Sequence, residues 1–70
     1  MRYAVVIEPA GSGFSAYVPD LPGCIATGTT MAETERRIAE AAAFHVDGLR
    51  ADGLSVPPPR STVATVDVAA

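Results

Sequence analysis

The sequence predicts a single α+β domain, residues 1–70, with the order β-β-β-α-β and one helix packed on an antiparallel-type sheet. Three observations carry this prediction. Apolar residues alternate in two N-terminal segments, as they do along half-buried strands. Thr30 with Glu33 has the spacing of a capping box, the local signature of a helix start. Between strands and helix stands a rigid connector, Pro19-Asp20-Leu21-Pro22-Gly23-Cys24.

From Arg2 to Glu8 the residues are β-branched or aromatic, with Tyr3, Val5 and Ile7 on one face and Ala4, Val6 and Glu8 on the other, which predicts the first strand. Pro9 to Gly13 supplies turn residues, and Phe14 to Pro19 alternates again, Phe14, Ala16 and Val18 opposite Ser15 and Tyr17. The two segments predict an antiparallel hairpin. Gly11-Ser12-Gly13 is read as its turn, since no phosphate-loop lysine follows and no helix opens there. In the connector, two prolines fix their own φ and push the residues before them toward extended backbone, while Gly23 permits a φ that side chains oppose. The chain must turn there, and Cys24 to Gly28 forms a short third strand.

The helix is predicted from about Met31 to about Asp52. Met31, Thr34, Ile38, Ala41, Ala42, His45 and Leu49 make one apolar face, against an outer face with Glu33, Arg36, Arg37, Glu40 and Asp47. Gly53 followed by Leu54 suits the stop. Leu54 to Pro59, with three consecutive prolines, runs extended beside the domain, and Thr62 to Val68 alternates as a last strand. One helix covers one face of a sheet, and both faces of this one carry apolar residues, so apolar area remains for an interface. Phe44 lies off the apolar helix face and is a candidate anchor for a partner or a second copy; the alternative is that the proline-rich segment covers it.

A chain of 70 residues buries a smaller fraction of its surface than a larger domain does, and association would support it. A lone cysteine and a lone histidine complete neither an internal disulfide nor a structural zinc site, so no metal or other cofactor is expected. A formal net charge of −3 without an arginine cluster argues against direct nucleic-acid binding and permits a basic protein partner. No apolar run reaches membrane-spanning length and Met1 leads into no signal-peptide pattern, so a cytoplasmic location without membrane association is expected. Cys24 and His45 read as packed residues, the acidic residues of the helix as a solvated face, and Asp20 as a residue that bonds backbone amides at a turn or else contacts a partner. No catalytic residue is assigned, and the protein is not expected to be an enzyme.

Tyr17-Val18-Pro19-Asp20-Leu21-Pro22-Gly23-Cys24, followed by Gly28-Thr29-Thr30, Glu33, Glu40-Ala41, His45 and Gly48-Leu49, resembles the N-terminal domain of HicB-family antitoxins over roughly Arg2 to Pro59. The resemblance implies a partial RNase H-like fold and, in toxin–antitoxin pairs, binding to HicA, a small basic mRNA-cleaving toxin whose active site is occluded without turnover. HicB antitoxins often continue into a DNA-binding domain; this chain ends at Ala70, so no such C-terminal domain is expected. The usual acidic hairpin turn is replaced by Ala10-Gly11-Ser12-Gly13, and Thr34 stands where alanine is common. The expected partner-binding residues are Pro19, Asp20, Leu21, Pro22, Gly23, Cys24 and Phe44, in a homodimer or higher oligomer. The alternative is a solitary self-associating relative without a toxin.

Overall fold

The structure, a computed structural model, describes residues 1–69. Strands β1 (Val6–Ala10), β2 (Gly13–Tyr17) and β3 (Ile25–Gly28) form an antiparallel sheet in the order β1-β2-β3, and helix α1 (Met31–Ala51) follows. Alternation assigns the faces. Ile7, Ala16 and Ala26 are cross-strand partners on the face beneath α1, whereas Val6, Tyr17 and Ile25 are partners on the open face.

Both ends of α1 are closed as the residues dictate. The Thr30 hydroxyl accepts from the Glu33 amide at 3.1 Å, and the Glu33 carboxylate reaches back to the Thr29 amide at 2.9 Å, one residue earlier than a standard box. At the other end the Leu54 amide donates to the Leu49 carbonyl and the Gly53 amide to the Arg50 carbonyl, a Schellman closure. The helix packs mainly across β3 and β2 and least on β1. The core comprises Ala16, Val18, Leu21, Cys24, Ile38 and Val46, flanked by Tyr3, Val5, Ile7 and Val56. Among the described residues no helix is long and apolar enough to cross a membrane.

Four expectations require correction. The first strand begins at Val6, not Arg2, because the residues that would pair with its start belong to the connector, which turns away after Tyr17. It continues through Pro9 and Ala10, which were read as turn; β1 is an edge strand, where a missing N–H is tolerated. The apolar helix face is centred on Thr34, Ile38 and Val46 with His45 and Leu49 only half-buried at its flank, since i+4 steps from Ile38 through Ala42 reach Val46 as well as a mixed path reaches His45. Finally, Thr62 to Val68 forms no strand: the segment is exposed and pairs with nothing, so the sheet has three strands among the described residues.

Candidate functional site

The connector is two consecutive tight turns. The Leu21 amide donates to the Val18 carbonyl at 3.1 Å and the Cys24 amide to the Leu21 carbonyl at 3.0 Å. Pro19 takes the second position of one turn and Pro22 that of the other, where their fixed φ is required. Gly23 follows Pro22 with φ +83°, the conformation a type II turn demands at its third position. A Val18 amide to Cys24 carbonyl bond at 3.1 Å then closes the base. Leu21, shared by the two turns, is driven into the core at 0 % exposure, and Cys24 is buried beside it.

The six connector residues therefore divide. Leu21 and Cys24 spend their side chains on the core, and burial pushes the Cys24 thiol above its ordinary pKa. Pro19, Pro22 and Gly23 face solvent. Asp20 holds the C-terminal segment: its Oδ2 accepts from the amides of Arg60 and Ser61 at 2.8 Å each, and Oδ1 accepts from the Ser61 hydroxyl at 3.0 Å. The Ser61 and Arg60 amides, in that order, lower its pKa from the ordinary carboxylate value. Because the folded-state value is the lower one, this contribution is present above the unfolded carboxylate pKa and is lost as pH falls through the folded one. Asp20→Ala at neutral pH is expected to speed amide exchange at Arg60 and Ser61 several-fold while leaving the α1 amides protected, and acidification of the wild-type protein through that range to lower the protection of the same two amides relative to their intrinsic rates, which exchange measured by NMR will check.

Phe44 is not covered by the proline-rich segment and stands 73 % exposed. It lines a shallow depression with Gly23, Cys24, Ile25 and His45, so the structure brings the end of the connector and Phe44 to one place. Ile25, 68 % exposed, belongs to this depression and also to the open face of the sheet, where it lies across from Tyr17, which in turn lies across from Val6. A continuous apolar path thus runs from α1 around the edge of β3 and across the open sheet face. Ile25, Tyr17 and Val6 were not singled out as site residues from the sequence, although the alternation that turned Tyr17 away from Ala16 and Val18 carried the signal. Gly23, in the turn with Pro22, borders the path.

No three His, Cys, Asp or Glu side chains converge at metal-binding distance among the described residues. Glu33 serves the helix start; the Thr29 amide and hydroxyl lower its pKa, with Arg37 adding a smaller effect. Arg37 also donates to the Thr27 carbonyl at 3.2 Å, tying α1 to β3.

Residues 3–69 match the family described as HicB_like antitoxin of bacterial toxin-antitoxin system. An uncharacterized 14.9 kDa protein from the rep-hol intergenic region of Haemophilus phage HP1 is 37% identical over 57 residues, covering 81% of this chain and 43% of the phage protein. The chain thus spans less than half the length of that relative. A UPF0150 protein of Helicobacter pylori strain J99 is 35% identical over 70 residues, 99% of this chain and 97% of the relative. Among solved structures, a chain of the HicA3 and HicB3 toxin-antitoxin complex superposes with a TM-score of 0.74 at 35% identity, over 84% of this chain and 70% of that one. The chain belongs to the HicB-like antitoxin family of bacterial toxin–antitoxin systems.

Proposed function

We propose that the protein is a cytoplasmic antitoxin that binds a HicA-type, mRNA-cleaving toxin and covers its active site, without turnover and without contacting nucleic acid itself. The observation that carries this reading is the apolar path from Phe44 through Ile25 to Tyr17, exposed among the described residues and continued by the half-buried Val6. Aromatic side chains are enriched at protein interfaces, and tyrosine is among the residues that carry most of their energy. Pro22 and Gly23 beside it are held by the two turns, so little ordering cost accompanies docking. The net charge of −3 complements a basic toxin and favours its approach. In this proposal the domain has the partial RNase H-like outline implied by its resemblance to HicB antitoxins.

Co-expression with a HicA-type toxin, sought among the open reading frames beside the gene, tests the proposal. Wild-type protein is expected to restore growth, and Phe44→Asp or Ile25→Asp to weaken toxin binding about 30-fold each, the equivalent of roughly 2 kcal/mol for an interface anchor. Both side chains are exposed, so circular dichroism should remain that of the wild type. No binding by the wild-type protein, or full neutralisation by the double variant, overturns the reading.

A second reading, a solitary protein that associates only with itself, is favoured by one observation, the unpaired and exposed Thr62 to Val68 segment. It predicts a homo-oligomer and no toxin gene alongside.

A further inference from the structure

On the flank of α1 away from Phe44 lies a second groove, of about 770 Å³, between the helix and the free edge of β1. Its floor is apolar, formed by Tyr3, Val5, Ile7 and Ile38. Helix α1 lines it with the small residues Ala39, Ala42 and Ala43 as well as with Ile38, Val46 and the charged Glu35, Asp47 and Arg50; the alanines and the lean of the helix toward β3 leave it open. Beside it, among the described residues, β1 has one ladder partner, β2, and its outer row of backbone groups is unpaired. The groove therefore has the shape left when a strand is missing from the β1 side of the sheet.

The same chain carries a strand without a sheet. In Thr62 to Val68, Ala64, Val66 and Val68 fall on one face and Val63, Thr65 and Asp67 on the other. The segment is rich in β-formers, and Val66 is 82 % exposed. A radius of gyration of 13.7 Å, against about 11 Å for a compact chain of this length, reflects how far the molecule extends.

We infer that residues 62–68 of a second copy fill this groove, adding a strand to β1 with Ala64, Val66 and Val68 against its floor, and that the exchange is reciprocal. The geometry of the chain's own tail selects a second copy as the occupant. Pro57 accepts from the Tyr3 hydroxyl at the start of the β1 segment, and Arg60 and Ser61 are then held by Asp20 in the connector that leaves β2. The tail is thus pinned to the connector that leaves β2 just before residue 62 begins, and not to the free edge of β1 in its own molecule. A partner's tail meets no such constraint, and two-fold symmetry lets each molecule complete the other. Strand addition satisfies backbone groups at the edge and buries apolar side chains from both molecules in one step. The surface involved is separate from the Phe44–Ile25 path, so this inference stands independently of the toxin.

Analytical ultracentrifugation of the whole chain, with isotope-filtered NMR on a mixture of ¹³C-labelled and unlabelled protein, tests it. The wild type is expected to be a dimer, with intermolecular NOEs from the Val66 and Val68 methyls to Tyr3, Val5 and Ala42. Val66→Asp, at a position exposed in the single chain, is expected to weaken the dimer at least tenfold while retaining the helical circular dichroism of the wild type. A wild-type monomer at millimolar concentration, tail-to-groove NOEs found only within one molecule, or a Val66→Asp dimer as tight as wild type would each overturn the inference.

Discussion

Replacing Leu21 by alanine is expected to remove about 3 kcal/mol of folding stability, seen as a lower urea midpoint at an unchanged slope. The side chain is fully buried, and its removal leaves a cavity among Val18, Cys24 and Ile38 that the prolines on either side prevent the connector from collapsing into. Stability of roughly 0.05–0.15 kcal/mol per residue is typical, so a loss of this size takes a large part of what a 70-residue domain has. The effect should exceed that of truncating Val46, which lies nearer the surface and loses fewer atoms. Because Leu21 is the hinge of both turns, the variant should also, under the proposed function, weaken toxin binding through misplacement of Pro22 and Gly23, even in the fraction that remains folded. A stability loss below about 1 kcal/mol would show that the connector relaxes freely and is not the rigid element described above.

The second large effect is expected at Gly28, where β3 meets the start of α1. A Cβ there would lie 2.5 Å from Thr34 Oγ1, 2.9 Å from the Thr34 amide nitrogen and 3.1 Å from Thr34 Cα. The hydroxyl is not free to swing away without loss, since it donates to the Thr30 carbonyl at 2.7 Å, and the other two atoms are backbone. Gly28→Ala is therefore expected to cost about 3 kcal/mol through overpacking, the upper end for an added methyl group. Thr34→Ala in the same chain should fail to restore stability, because the backbone contacts remain. Thermal unfolding of the two variants checks this, and a Gly28→Ala protein with wild-type Tm would show that strand and helix separate at little cost.

Gly28 also explains why Thr34 is tolerated where the resemblance noted above leads one to expect alanine. The helix approaches β3 so closely at this point that Thr34 is fully buried, and its hydroxyl is satisfied within the helix's own first turn. A β-branched residue whose oxygen bonds back to the i−4 carbonyl adds volume without leaving a polar atom unpaired.

Local chemistry was legible in the sequence, and long-range partnership was not. The helix start could be read to the residue because Thr30, Glu33 and the amides they satisfy lie within five positions of one another. The turn at Pro19 to Gly23 was legible for the same reason. The helix phase was harder: His45 and Val46 are both allowed continuations from Ile38, and only the position of the sheet beneath decides between them. Asp20 was recognised as an acceptor of backbone amides, yet the amides it accepts from lie 40 and 41 residues away, a distance that no local pattern encodes. Thr62 to Val68 has the alternation of a strand, but a strand exists only with a ladder partner, and that information is absent from the segment itself. Of the candidate surface, Phe44 was visible as a residue off the apolar helix face. Its companion Ile25 was not, because their meeting depends on how α1 crosses β3.

Cys24 lends the molecule a chemical consequence of its own. Its thiol, sealed beneath the two turns and biased toward the protonated form, offers oxidants and electrophiles almost no thiolate while the domain is closed. Modification must wait for the loop to lift, so the sole sulfhydryl acts as an internal clock of opening events, and its reaction rate in native buffer reads the transient breathing of the loop without any engineered probe.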